Sequence, residues 1–309
     1  MTISAWEIED LLPKIEDVTS TEAAGRYTVF DRVPAHAFFV LSAVFHYLGP
    51  AFAVLLFSRV EPLGVAWLRI ISAAAIFWVW RRPWRIWRGL GATARQLLLG
   101  WAAVLAAMNA TFYVAIDRLP LGTVAAVEFA PVILLAALAL RTMRNGIALV
   151  LAVGGVYLLT EVQLATNLLG LICAGVNAVL FAGYIVLGHR VSRNRTLRGI
   201  DALALAMGIA ALLALPFGIA AAGPALADPR LLAAAAGVGV CSSVIPYVSD
   251  QLAMARLSRG TYALMLSLLP ATAAVIGALV LGQWPAWLEV LGIALVVAAM
   301  GVHRRELSR

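Results

Sequence analysis

The chain has 309 residues, of which 63% are hydrophobic and only 13% are charged, and its mean hydropathy is +0.94. A soluble domain has roughly 45–50% apolar and about 25% charged residues, so this composition excludes a soluble globular protein and predicts an integral membrane protein. The net charge of +7 comes from basic residues that lie mostly between apolar runs, where they set membrane topology. We therefore expect a lipid bilayer, and no nucleic acid, as the partner of these charges.

Long apolar runs predict an all-α membrane protein rather than a β-barrel. Residues 1–34 carry seven acidic and three basic side chains and predict a soluble N-terminal tail that has no targeting signal. A short C-terminal tail, 303–309, is expected at the other end. Between the tails we predict ten spans: 35–57, 62–80, 96–116, 121–140, 147–162, 168–188, 201–222, 231–250, 260–281 and 287–302.

The basic residues alternate between the loops that connect these spans. With ten spans, nineteen Lys and Arg residues fall on one side of the membrane, and only Arg59, Arg118 and Arg230 fall on the other. Because cytoplasmic loops carry the excess of basic residues, both termini are predicted to be cytoplasmic. Arg69 belongs to neither side, since it lies within the second span.

A short motif occurs twice, at the entry of the fourth and of the ninth span. The first copy reads RLPLGT at 118–123 and the second reads RLSRGT at 256–261, and a mid-span proline follows each copy. The two copies predict two five-helix repeats, 35–162 and 168–302. Because five is odd, the repeats would be inverted in the membrane, as in many secondary transporters.

One arginine and one glutamate lie at the same expected depth inside the apolar spans. Arg69 and Glu128 are each seven residues from the outer end of their spans, which is roughly 10 Å at 1.5 Å per residue. Asn109 and Tyr113, one helical turn apart, reach the same level. An unpaired charge there costs at least about 2.5–3.5 kcal/mol. Either a fixed Arg69–Glu128 ion pair locks two helices, or Arg69 binds a substrate carboxylate and Glu128 binds an ammonium group or a proton.

Seven further residues are candidates for the cavity or its gates. Proline in a membrane helix frees a backbone carbonyl and kinks the helix. The prolines in this set are Pro50, Pro131, Pro246 and Pro270. Tyr247 and Asp250 would form an inner gate, although Asp250 is equally typical of a solvated helix end. His46 lies near the midplane, either as a hydrogen-bonded packing residue or in the cavity, and no second histidine or cysteine stands at metal-ligand spacing.

The sequence contains no pattern typical of an enzyme. HExxH, GxSxG and Walker A motifs are absent, so we expect neither catalysis nor a cofactor. Tryptophans near the span ends predict an aromatic belt; they are Trp67, Trp78, Trp80, Trp84, Trp87, Trp101, Trp284 and Trp287. The small residues from Gly170 to Gly175 would pack helices either within one chain or between two copies in a homodimer.

Four stretches of the sequence have a distinctive pattern: GVAWLRI at 64–70, the run from AAMNATFYVAIDRLPLGT to VEFAPV at 106–132, YIVLGHRVS at 184–192, and VIPYVSDQL to ATAAVIG at 244–277. Together they resemble the threonine and homoserine exporters, an EamA-type family of the drug/metabolite transporter superfamily. The resemblance covers about 38–302. It implies ten helices in two inverted halves, a location in the bacterial inner membrane, and export of small amino acids by alternating access.

Two positions depart from the pattern of that family. Where the family has glutamate in the ninth span and at its end, this chain has Leu269 and Gln283, which leaves Glu128 as the main buried acid. The sequence as a whole predicts a secondary exporter of threonine- or homoserine-like amino acids or related small polar metabolites. The alternatives are an exporter of cationic or apolar drugs, and a non-transporting membrane scaffold or receptor.

Overall fold

The computed structural model describes residues 34–139, 143–164, 167–192, 194, 197, 199–254, 256–257, 265 and 268–303. In these ranges every regular element is a helix. The α-helices are α1 (Ala35–Leu56), α2 (Pro62–Arg81), α3 (Trp84–Trp87), α4 (Ala92–Ile116), α5 (Leu121–Ala139), α6 (Met143–Leu164), α7 (Leu168–Ser192), α8 (Gly199–Ala221), α9 (Gly223–Ala227), α10 (Pro229–Gly239), α11 (Ile245–Met254), α12 (Leu269–Leu281) and α13 (Trp287–His303). A π-helical segment, Val240–Val244, joins α10 to α11, and it is called the π segment below.

Helix α2 illustrates how the sequence sets the ends of a span. Pro62 lies in its first turn, where the missing N–H costs no hydrogen bond. The helix stays apolar apart from Arg69 until Arg81, and it stops at Arg82, which adopts the left-handed conformation with φ of 48°. These bounds agree with the predicted second span, 62–80.

Six of the described helices are long and apolar enough to cross a membrane. They are His36–Leu56, Pro62–Arg81, Ala92–Ile116, Leu168–Val191, Asp201–Ala221 and Pro229–Ser249, the last of which includes the π segment. Four further apolar helices are shorter over the residues whose side chains are described: Leu121–Pro131, Met143–Leu159, Leu269–Leu281 and Trp287–Val302. The all-helical membrane fold is therefore confirmed, whereas the count of ten spans in two inverted repeats stays a prediction. The two tails, apart from residues 34 and 303, and part of the second RLxxGT copy lie outside the described residues.

Helices α2 and α8 are joined along their length by tryptophan side chains. Trp67 Nε1 donates to the carbonyl of Ala211 at 2.9 Å, and Trp78 Nε1 donates to the carbonyl of Ala204 at 2.7 Å. Trp101, on α4, makes a similar bond to a carbonyl of α7. The prediction of an aromatic belt is wrong for these three residues, because their indoles pack between helices.

The same pair of helices approaches closely at two glycines. Gly208 lies against the indole of Trp78, and a Cβ on Gly218 would overlap a second tryptophan side chain of α2. At the end of the contact, Arg81 Nε lies 2.7 Å from Asp201 Oδ1. This contact between α2 and α8, from its tryptophans to the ion pair, is called the α2–α8 seam.

The other main helix pairs also join the two predicted repeats. Helix α1 packs on α11 and the π segment, α4 on α7, α5 on α12, and α6 on α13. Between α6 and α13 the backbones come so close that a Cβ on Gly155 would lie 2.7 Å from the carbonyl oxygen of Gly292. Each predicted repeat thus buries its apolar surface largely against the other, and the candidate site lies between them.

Candidate functional site

A cavity of about 270 Å³ lies among α1, α2, α4, α5, α7, α8, the π segment and α11. Three of the four predicted substrate residues line it, namely Arg69, Asn109 and Glu128. Four of the candidate gate or cavity residues do so as well: His46, Pro50, Pro246 and Tyr247. Residues that the sequence places far apart therefore meet around one space.

The guanidinium of Arg69 is held by several partners. Its Nη1 donates to Asn109 Oδ1 at 2.8 Å, its Nε to Ser243 Oγ at 3.3 Å, and its Nη2 to the carbonyl of Ser242 at 3.3 Å. The guanidinium carbon lies 5.6 Å from the centre of the Tyr113 ring, within the range of a cation–π interaction. Side chains from α4 and groups of the π segment thus fix the plane and direction of this cation.

Pro246, which follows the π segment, explains the hydrogen bond between Arg69 and the Ser242 carbonyl. Pro246 has no N–H to donate to the Ser242 carbonyl four residues earlier, and Arg69 donates to that oxygen instead. Helix α1 approaches the segment closely, since a Cβ on Gly49 would overlap Ser242, and Ser42 Oγ donates to the carbonyl of Pro246 at 3.3 Å. Single π-helical turns often occur at functional sites, and this one lies against the cavity.

Glu128 is 7% exposed and is held by a different partner. Asn177 Nδ2, from α7, donates to Glu128 Oε1 at 3.1 Å. Among the described residues Arg69 and Glu128 do not form an ion pair with each other, so the fixed pair, one of the two interpretations of the sequence, is not formed here. The cavity instead has a cation and a carboxylate in its lining, each held separately.

Asn177 is fully buried and is only half satisfied. Its Oδ1 has no hydrogen-bond partner in the described part of the chain, although its Nδ2 has one. An unpaired buried acceptor costs about 1–3 kcal/mol, so a native structure rarely keeps one without a reason. Because Asn177 lines the cavity, a hydrogen-bond donor inside the cavity would remove this cost.

The remaining predicted residues lie around the cavity rather than on it, or outside the description. Tyr113 is buried behind Arg69. Pro131 lies inside α5, and Pro270 lies in the first turn of α12; neither lines the cavity. The side chain of Asp250 lies outside the described residues. Within those residues, no three His, Cys, Asp or Glu side chains are grouped to hold a metal ion.

Four polar lining residues were missed by sequence reasoning, and all come from the second predicted repeat. They are Asn177, Tyr184, Ser242 and Ser243. Neutral polar side chains carry little signal, because single ones are tolerated in membrane helices. Two signals were nevertheless available: an isolated asparagine amid an apolar span, and a serine four residues before a proline.

Gln283 caps the start of α5, the helix that carries Glu128. The family that the sequence resembles has glutamate at this position. The Oε1 of Gln283 accepts a hydrogen bond from the backbone N–H of Leu121 at 3.0 Å, which satisfies one of the free N–H groups at the start of α5. Gly282, at φ of 67°, ends α12 and turns the chain just before Gln283. The glutamine thus provides an acceptor to α5 without placing a carboxylate there.

Comparison with known proteins gives a consistent result. Residues 168–303 match the EamA-like transporter family. The chain is 31% identical over 254 residues to the threonine/homoserine exporter RhtA of Salmonella typhimurium strains LT2 and SL1344, and the match covers 81% of this chain and 84% of the relative. It is 30% identical over 256 residues to RhtA of Escherichia coli K12, with the same coverage.

Proposed function

Since the chain belongs to the EamA-type threonine/homoserine exporter family and is a multi-pass inner-membrane transport protein, we propose that it exports threonine- or homoserine-like amino acids by alternating access. The observation that carries this proposal is the pair of opposite charges that line one cavity without contacting each other. An amino acid is a zwitterion, and it supplies a counter-charge to each of them.

In the proposed complex, Arg69 binds the substrate carboxylate. A guanidinium has a planar set of donors that matches a carboxylate, and Asn109 and Tyr113 hold that plane in position. Glu128 binds the ammonium group or exchanges a proton during the cycle. A buried site makes both contacts stronger than they would be in water. This favours a zwitterionic substrate over one that has no charged groups.

The size of the cavity supports a small polar substrate over a drug. Sites for drug-sized ligands usually enclose about 300–1,000 Å³. The cavity here, at about 270 Å³, lies just below that range. A single amino acid is the better match, and the drug-export alternative has no comparable support.

The pairing of the helices supports two related five-helix repeats, and the excess of basic residues in alternate loops supports cytoplasmic termini. If the two repeats are related by symmetry, each span can be exchanged for the corresponding span of the other repeat, five positions along. The contact of spans three and six, α4 with α7, then becomes the contact of spans eight and one, α11 with α1, and both contacts are present. The pairs two–seven, four–nine and five–ten are unchanged by the same exchange, and all three are present as α2–α8, α5–α12 and α6–α13. Such a pattern is expected of a pseudo-two-fold axis, and an odd number of spans in each repeat requires that axis to lie in the membrane plane.

Helix irregularities support the proposed movement. Pro50 lies within α1 and Pro246 lies in the first turn of α11, both beside the cavity, and the π segment contacts both helices. Irregularities of this kind are tolerated in membrane helices where they line a cavity, and they provide hinges. The ring of Tyr247, 5.5 Å from that of Phe77, is the proposed gate on the cytoplasmic side.

The test is efflux of preloaded labelled threonine and homoserine from cells that express the parent or Glu128→Gln, with surface expression matched. We expect efflux by the parent and its loss in Glu128→Gln. The matched control is Glu61→Gln, which removes the same charge from an exposed position and should export like the parent. No efflux of either amino acid by the parent, or equal efflux by both variants, would refute the proposal.

A further inference from the structure

The amide nitrogen of Asn177, and not its oxygen, faces Glu128 in the structure. This is the orientation that an ionised carboxylate requires, since it only accepts hydrogen bonds. The amide oxygen is therefore directed away from Glu128, and it has no partner in the described part of the chain. The oxygen has almost no accessible surface, but the residue belongs to the cavity lining, so the cavity is the space from which a bound substrate could bring a donor to it.

We infer that Asn177 is a specificity-determining residue whose amide oxygen, together with the carboxylate of Glu128, binds the ammonium group of the substrate. This inference rests on the proposed function, and it adds a residue from the second repeat to a site otherwise identified in the first. It assigns the recognition of the amino group to α7 and α5 jointly.

The polarity of the cavity lining points to an ammonium group. Around Arg69 the lining presents donors on a cation, whereas Glu128 and Asn177 present acceptors. An ammonium group has three N–H donors and needs at least two acceptors to be satisfied once it leaves water. A hydroxyl has one donor, which would leave one of the two acceptors unpaired. A site built to bind a donor group rejects an analogue that lacks it, because the buried acceptors then remain unsatisfied.

The experiment uses the full-length protein in liposomes and measures competition against counterflow of labelled threonine. Two unlabelled competitors separate the groups: 3-hydroxybutyrate keeps the carboxylate and the hydroxyl but has no amine, and 2-aminobutyrate keeps the amine but has no side-chain hydroxyl. The quantity measured is the preference for threonine over each competitor. Asn177→Leu removes both the acceptor and the Nδ2 donor to Glu128 with little change in shape. It should reduce the preference over 3-hydroxybutyrate at least about tenfold, since a hydrogen bond to a charged group is lost. The preference over 2-aminobutyrate should be unchanged.

Two further variants separate binding from folding. Asn177→Asp keeps an acceptor at the same place, and a proton shared between the introduced carboxylate and Glu128 replaces the lost Nδ2 donor, so this variant should keep the preference for the amine. Thr123→Val removes a buried hydroxyl from α5 that does not line the cavity, and it should keep both preferences.

The outcomes distinguish this inference from the proposed function. If Asn177→Leu keeps the preference over 3-hydroxybutyrate, or loses only the preference over 2-aminobutyrate, the ammonium assignment is overturned while amino-acid export stands. If the parent itself shows counterflow of neither threonine nor homoserine, the proposed function and this inference fail together.

Discussion

Gly208→Ala tests the packing that joins α2 to α8. An added Cβ would lie 2.6 Å from Trp78 Cε2 and 2.7 Å from Trp78 Nε1, distances that packed carbon atoms do not reach. The indole has little freedom to withdraw, because Nε1 donates to the Ala204 carbonyl at 2.7 Å. Overpacking costs about 1–3 kcal/mol, and loss of the hydrogen bond adds about 0.5–1.5 kcal/mol. We expect a total loss of about 2–4 kcal/mol in stability.

The assay is thermal unfolding of the purified protein in detergent. At about 2 °C per kcal/mol for a chain of this size, Gly208→Ala should unfold roughly 4–8 °C below the parent. The control is Gly175→Ala, at an exposed position of α7 where an added Cβ meets nothing within 4 Å, and it should unfold near the parent temperature. A second change, Trp78→Phe, makes room for the new methyl group, so the double variant should lose less than the sum of the two single changes. Equal unfolding temperatures for Gly208→Ala and Gly175→Ala would refute the reasoning.

Three further predictions concern charged and kinked positions. Arg69→Lys keeps the charge but loses the planar set of donors, so export should fall at least about tenfold at matched expression; export equal to the parent would contradict this. Pro246→Ala restores an N–H that competes with Arg69 for the Ser242 carbonyl, so export should fall while the unfolding temperature stays the same or rises. A joint fall of both quantities would contradict that prediction. Arg81→Ala leaves the Asp201 carboxylate unpaired at 12% exposure, whereas Asp201→Ala leaves the Arg81 side chain unpaired at 37% exposure. The more buried charge costs more, so Arg81→Ala should lower the free energy of unfolding by about 1–2 kcal/mol more than Asp201→Ala does. Equal unfolding temperatures for these two variants would contradict the asymmetry.

Matched controls exist in the same chain for the first two changes. Arg59→Lys makes the same exchange at an exposed residue and should leave export unchanged. Pro216→Ala removes a proline from inside α8, where the residue is exposed and remote from the cavity lining, and it should leave export unchanged.

The charged part of the candidate site could be predicted from the sequence. The depth of Arg69 and Glu128 in their spans followed from residue counting, and a charge in an apolar helix is costly enough to be informative. The mutual position of the two side chains did not follow, because depth fixes one coordinate and leaves the rotation of each helix open. The ion pair was therefore one of two interpretations, and the contacts of Asn109 with Arg69 and of Asn177 with Glu128 distinguish them.

The contacts between the repeats were the part that sequence reasoning missed. Trp67 and Trp78 fit the expected pattern of an aromatic belt in position along the chain, yet both donate to carbonyls of α8. Whether a tryptophan near a span end meets headgroups or a neighbouring helix depends on which helix lies beside it. Residue spacing within one span contains no information on that neighbour, and the glycines opposite these indoles are informative only once the helices are paired.

The α2–α8 seam also restricts how this protein can be built from its two repeats. At this contact the first repeat supplies large indoles and the second supplies glycines, and each fits only because the other is there. Two copies of the first repeat would bring α2 against a second α2, so that tryptophans met side chains larger than glycine and the backbones could not approach. The two repeats are therefore complementary rather than interchangeable, and a symmetric chain made by duplicating either of them would lack this contact.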